Sequence, residues 1–156
     1  MVKHTCCFIG HRFLPEAIID NLKTPLDYVI DKLYYQGVEN FISGGTLGFA
    51  QMVASLIIDK RSAGYNIRLI FMLPYRNHGN LWTKKQRKKY NSLLMNADEI
   101  QYVSDEYYEG CMEKRNLDMI NRSNYLICAL NQGKSEKPCY INQAQINGLR
   151  VINLMC

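Results

Sequence analysis

Three short stretches carry residue types suited to gripping an anion. The first, Ser43-Gly44-Gly45-Thr46-Leu47-Gly48, follows an apolar segment and opens a helical one. Without Cβ atoms, Gly44, Gly45 and Gly48 let the backbone take positive φ and approach a ligand closely. The first N–H groups of the helix would point into the same space, and its dipole favours negative charge there. No Asp or Glu stands between Thr46 and Gln51 to compete for that end. The alternative is a tight turn whose glycines serve packing alone.

The second stretch, Gly10-His11-Arg12, follows the first apolar segment. The third is Arg115-Asn116, in a helix expected from Tyr108 to Ser123 with Met112, Met119 and Ile120 as its apolar stripe. Arg115 is three residues after Met112 and four before Met119, and Asn116 is four and three, so both project from the core-facing side. A charge buried there without a partner would cost several kcal/mol. A phosphate gripped by the guanidinium fork would satisfy it, and so would an ion pair with an internal carboxylate. A basic run, Lys84, Lys85, Arg87, Lys88 and Lys89, is either a solvated face or a salt-sensitive contact to nucleic acid.

Familiar alternatives fail on detail. A dinucleotide fingerprint follows the first strand and needs an acid near the end of the next. Here the glycines follow the second strand, and the third ends in Leu73-Pro74. Gly133-Lys134-Ser135 resembles the end of a P-loop, but Cys128 stands where the earlier glycine is required, so this reads as a loop. Cys6, Cys7, Cys111, Cys128, Cys139 and Cys156 form no C-x-x-C pair and read as buried, reduced thiols. With only His4, His11 and His78 to assist them, no metal is expected, and no resident cofactor.

The elements that must position these residues alternate between strand and helix, which predicts an α/β, Rossmann-like three-layer sandwich with a mostly parallel sheet. Strands are expected at Thr5 to Ile9, Val38 to Ile42, Ile67 to Leu73, Glu99 to Val103 (near an edge), Tyr125 to Leu130 and Val151 to Met155. Thr24-Pro25-Leu26-Asp27 reads as a capping box that starts the first helix, and Gly37 stops it. Phe49, Val53, Leu56 and Ile57 mark the helix after the glycine turn. Thr83-Lys84-Lys85-Gln86 caps another that buries Tyr90, Leu93, Leu94 and Ala97. A last helix ends at Gly148.

The 156 residues suit a single domain spanning 1–156, with 47% apolar and 21% charged residues. No apolar run could span a bilayer, and the N-terminus lacks the features of a signal peptide, so a cytoplasmic protein without membrane contact is expected. The net charge of +5 comes largely from the one basic run.

Taken in order, Gly10-His11-Arg12, Ser43 to Gly48, the Trp82 to Asp98 segment ending in Asn96-Ala97-Asp98, and Tyr108-Glu109-Gly110-Cys111-Met112-Glu113-Lys114-Arg115-Asn116 resemble the SLOG superfamily. That superfamily is named for the DNA-processing protein Smf/DprA and the Lonely Guy phosphoribohydrolases. Within it the chain looks like the YpsA/YoqJ group of small bacterial and phage proteins. The resemblance implies a Rossmann-like fold and a nucleotide-type ligand, held by Gly10, His11, Arg12, Ser43, Gly44, Gly45, Thr46, Leu47, Gly48, Arg115 and Asn116.

Two departures stand out. The group's turn usually continues into an Asp, where this chain has Gly48-Phe49-Ala50, and many relatives carry a second glycine-rich turn where this chain has residues 131–138. The Lonely Guy hydrolases place a glutamate beside the glycine turn, and acid–base help of that kind is worth ~10²–10⁴-fold in rate. Three function classes follow: binding or sensing of a nucleotide or nucleotide-derived phosphate, which leads; N-glycosidic hydrolysis of a nucleoside phosphate, with Glu109 or Glu113 as remote acid; and single-stranded nucleic-acid binding through Lys84, Lys85, Arg87, Lys88 and Lys89. Partners follow the same classes, and a homo-oligomer is compatible with each.

Overall fold

A computed structural model of the protein describes residues 4–11, 14–130 and 140–155. Arg12, the Gly133-Lys134-Ser135 loop, Cys139 and Cys156 lie outside these residues. The described elements are β1 (Thr5–Gly10), α1 (Glu16–Tyr35), β2 (Asn40–Ser43), α2 (Phe49–Ser62), β3 (Arg68–Tyr75), α3 (Lys84–Met95), β4 (Glu99–Ser104), α4 (Cys111–Arg122), β5 (Tyr125–Ala129), α5 (Tyr140–Ile146) and β6 (Arg150–Asn153).

The strands form one six-stranded sheet in the order β4-β3-β2-β1-β5-β6, with every pairing parallel. This is the expected Rossmann-like α/β architecture, and β4 is an edge strand as its half-polar sequence implies. Right-handed crossovers dictate where the helices go. The chain walks from β1 to β4 in one direction, so α1, α2 and α3 cover one face. It then returns past β1 to β5 and β6, which puts α4 and α5 on the other. The order reverses between β1 and β5, the kind of switch point where ligands of open α/β sheets bind.

Alternation along each strand feeds two apolar layers. Cys6, Phe8, Phe41, Leu69 and Phe71 pack with Leu26, Ile30, Phe49, Val53 and Tyr90 on one side. Cys7, Ile9, Ile42 and Ile70 pack with Met119, Ile120, Tyr140 and Ile141 on the other. The neighbouring thiols of Cys6 and Cys7 are thus fully buried in different layers. Burial pushes the Cys7 thiol up to about 12.

The first helix departs from the sequence reading. It begins at Glu16 after Pro15, and Thr24-Pro25 lies inside it. Leu22 and Leu26 are both buried on the same stripe as Ile30 and Leu33, so packing carries the helix through the proline. The hydrogen bond lost at Pro25 would have gone to the carbonyl of Asn21, an exposed residue where water can replace it. The capping box at Thr83 does form: its hydroxyl accepts from the Gln86 N–H at 3.1 Å, and the Gln86 side chain accepts from the Thr83 N–H at 3.0 Å.

Between α1 and α2, Lys60 is buried and lies 2.6 Å from both Asp27 and Asp31. At the amino edge of the sheet, the Asp98 carboxylate accepts from the Leu69 N–H at 2.8 Å and from Arg61. The Asn96-Ala97-Asp98 segment therefore closes the fold at the end away from the glycine turn. No helix among the described residues is long and apolar enough to cross a membrane.

Candidate functional site

The glycine turn is fixed from inside by two polar side chains. Ser43, fully buried at the end of β2, donates its hydroxyl to the Ala50 carbonyl at 2.8 Å and accepts from the Gly45 N–H at 3.2 Å. Gln51, also buried, donates to the Gly45 carbonyl at 3.2 Å. The Gly45 amide is thereby committed to the turn itself. Positive φ is needed at Gly45 (75°) and Gly48 (87°), but not at Gly44.

At Gly48 the chain enters α2 without a side-chain cap, and its first turn carries no acid. The first backbone bond of the helix runs from the Met52 N–H to the Gly48 carbonyl at 3.0 Å. The amides of Phe49, Ala50 and Gln51 therefore precede the helical ladder and point toward the carboxyl edge of the sheet.

Gly44 owes its place to close approach. A Cβ there would lie 2.9 Å from Arg115 Nη1 and 3.0 Å from Cζ. Arg115 belongs to α4, on the opposite face from α2, yet its guanidinium reaches the turn and Nη1 donates to the Gly44 carbonyl at 2.6 Å. Only 5% of Arg115 is exposed, so it faces inward as its helical position requires. Its Nε donates to Asn116 Oδ1 at 2.8 Å, which sets the plane of the fork. A backbone carbonyl, rather than only the acid or phosphate weighed from the sequence, thus shares in holding the charge.

Two tyrosines that sequence reasoning missed flank this group. Burial raises the pKa of both the Tyr90 and Tyr140 hydroxyls, and the Arg115 charge opposes the rise in each case. The Asn116 side chain lies close enough to Tyr140 to oppose the rise there as well. Tyr90 lies 3.5 Å from where a Gly45 Cβ would stand. Tyr90 was visible as a core residue of α3, but nothing in its spacing linked it to the glycine turn.

The Gly10 turn joins the same edge. Gly10 pairs with Ala129 of β5, and the His11 N–H donates to the Ala129 carbonyl at 3.2 Å, at the switch point of the sheet. A Cβ on Gly10 would sit 2.5 Å from the ring of Phe49, the first residue of α2. The absent side chain is what lets the start of α2 lie against the end of β1. Thr46 and Leu47 are half-buried between these groups.

The remaining candidates divide. Of the two proposed acids, Glu109 is exposed, whereas Glu113 is half-buried in the first turn of α4 and lies within electrostatic reach of Tyr140. In the basic run, Lys84, Lys85, Lys88 and Lys89 are exposed. Arg87 instead turns back, donating to the carbonyls of Asn80 at 3.2 Å and Trp82 at 3.0 Å.

Comparison with known proteins places this architecture. A UPF0398 protein of Halalkalibacterium halodurans is 27% identical over 124 residues, covering 78% of this chain and 66% of the relative. A UPF0398 protein of Staphylococcus haemolyticus is 23% identical over 123 residues with the same coverage, and one of Staphylococcus aureus strain JH9 is 19% identical over 137 residues, covering 86% and 73%. The chain spans about two thirds of the length of the first two relatives. The family profile described as the YspA SLOG family matches residues 15–149, a span that takes in the glycine turn, Arg115 and all but the first and last strands. The chain belongs to the YspA SLOG family.

Proposed function

We propose that the protein binds a nucleotide or nucleotide-derived phosphate at the carboxyl edge of its sheet. Membership of a SLOG family suggests nucleotide-related function. The observation that carries the reading is the buried Arg115 guanidinium lying against Gly44, at the mouth of an uncapped, acid-free helix start. An anion there meets the helix dipole and α2 amides from one face of the sheet and a fixed cation from the other. His11, Thr46 and Leu47 border the same space, and Asn116 holds the cation in place.

Binding without hydrolysis is favoured because Ala50 supplies no carboxylate at the turn and its carbonyl is engaged by Ser43. Thermal melts with inorganic phosphate, ribose 5-phosphate and the four common ribonucleoside monophosphates test the reading. A ligand at about 100 times its Kd adds about 2.7 kcal/mol, which raises the melting temperature of a chain this size by roughly 5–10 °C. Arg115→Lys keeps the charge but loses the fork, and is expected to remove most of the rise. No rise with any of these compounds would eliminate the proposal.

A further inference from the structure

The segment between β3 and α3 is built around rings. Its backbone folds on itself through bonds from His78 N–H to Tyr75, Asn80 N–H to Asn77 and Trp82 N–H to Gly79, at 3.2, 3.1 and 2.9 Å. Gly79 has φ of 105°, and a Cβ there would strike the Trp82 ring at 2.8 Å, so the indole lies directly on the turn. The ring meets His78 and Tyr90 edge-on, both at 5.0 Å between centroids. Tyr75 in turn meets Tyr107, from the segment after β4, at 5.5 Å and nearly perpendicular. Arg87 secures the carbonyls of Asn80 and Trp82 from α3.

These residues line an open cleft of about 520 Å³, with Tyr75, His78, Trp82 and Tyr107 as its rings and Asn77, Asn80 and Glu106 among its polar groups. A volume of that order suits a small molecule. The cleft does not include the glycine turn. Tyr90 stands between them, touching Trp82 on one side and the Gly45 position on the other.

We infer that this cleft receives the base of a nucleoside phosphate whose phosphate lies at Gly44 to Gly48. The inference rests on the phosphate-binding reading above and specifies the other end of the same ligand. Pinned aromatic rings offer faces for stacking without loss of side-chain freedom, and every nucleobase has a matching π face. Polar groups on the wall can address the edge of a planar heterocycle. Glu106 is the one charged residue of the lining, and its carboxylate can accept from the N–H or amino edge of a base.

Trp82 is the chain's single tryptophan, so its emission reports the cleft directly. The experiment follows emission and melting temperature together during titration with AMP, GMP, CMP and UMP, and with ribose 5-phosphate as the base-free control. At least one nucleotide is expected to change the emission, while ribose 5-phosphate raises the melting temperature and leaves emission unchanged. The exposed Tyr107, changed to Ala, should weaken that nucleotide about tenfold and leave ribose 5-phosphate unaffected. A nucleotide that raises the melting temperature with constant Trp82 emission, or equal weakening of both ligands by Tyr107→Ala, overturns the base pocket and leaves the phosphate site standing. No response of either kind to any compound removes both. Tighter binding of a short single-stranded oligonucleotide than of any mononucleotide also overturns it, by making the cleft a stacking platform for a strand.

Discussion

Arg115 Nη1 donates to the carbonyl oxygen of Gly44 across 2.6 Å, and this bond joins a helix on one face of the sheet to the turn that opens a helix on the other. The contact depends on Gly44 having no side chain. Gly44→Ala would place a methyl 2.9 Å from the guanidinium, which must then shift. The far end of an arginine can yield, so the stability cost should be small, about 1 kcal/mol. Phosphate-dependent stabilisation should nevertheless fall sharply. Thermal melts with and without ribose 5-phosphate separate the two effects.

Gly10→Ala should behave in the opposite way. Its methyl would meet Phe49 at 2.5 to 2.9 Å, and that ring is fully buried where α2 begins. With no room to yield, overpacking should cost about 1–3 kcal/mol. Urea unfolding measures the loss directly, and stability equal to the parent would show that the two turns are less tightly apposed.

Pro25→Ala should stabilise the protein. Pro25 is exposed in the middle of a 20-residue helix, where an alanine restores a backbone donor. The expected gain is roughly 1 kcal/mol, less than the ~3 kcal/mol scale for proline in a helix interior because the native helix has already adapted and the unfolded chain gains freedom. An unchanged or lower urea midpoint would contradict this account.

The Lys60 cluster sets a pH dependence at both extremes. Burial opposes the Asp31 charge, but hydrogen bonds from Lys60 and Tyr65 prevail and hold its pKa below the ordinary carboxylate value. Its contribution is present above the unfolded value of about 3.9 and is lost as pH falls through the lower folded value. Burial likewise opposes the Lys60 charge, and hydrogen bonds it donates to Asp27 and Asp31 raise its pKa instead. That contribution is present below about 10.4 and is lost as pH rises through the higher folded value. Lys60→Met should therefore lower stability near neutrality by about 1 kcal/mol, modest because the two carboxylates are partly solvated. It should also flatten the urea-midpoint profile at both ends.

Much of this was readable in the chain. Alternating apolar segments and glycine stops revealed the parallel sheet, and the helical phase of Arg115 between Met112 and Met119 revealed that its charge turns inward. Pro25 misled because local chemistry suggested a helix start while the buried stripe from Leu22 to Leu33 decided the outcome. Gly44 illustrates a subtler gap. Its type was noticed, but the reason is a contact with a residue 71 positions later, which no local pattern encodes. The same holds for Tyr90, whose ring comes up against Gly45, a residue 45 positions earlier, only when α3 packs beside the glycine turn. Gln51, with no apolar phase of its own, gave no signal that it would close the turn from beneath.

Cys6 and Cys7 sit side by side on β1 while occupying opposite layers, with neither accessible to solvent. A thiol-labelling reagent can reach the first only when the helices α1 and α2 lift away, and the second only when α4 and α5 do. Adjacent residues on a single strand thereby offer independent clocks for how often each side of this protein breathes, told apart by fragmenting the one tryptic peptide that carries both.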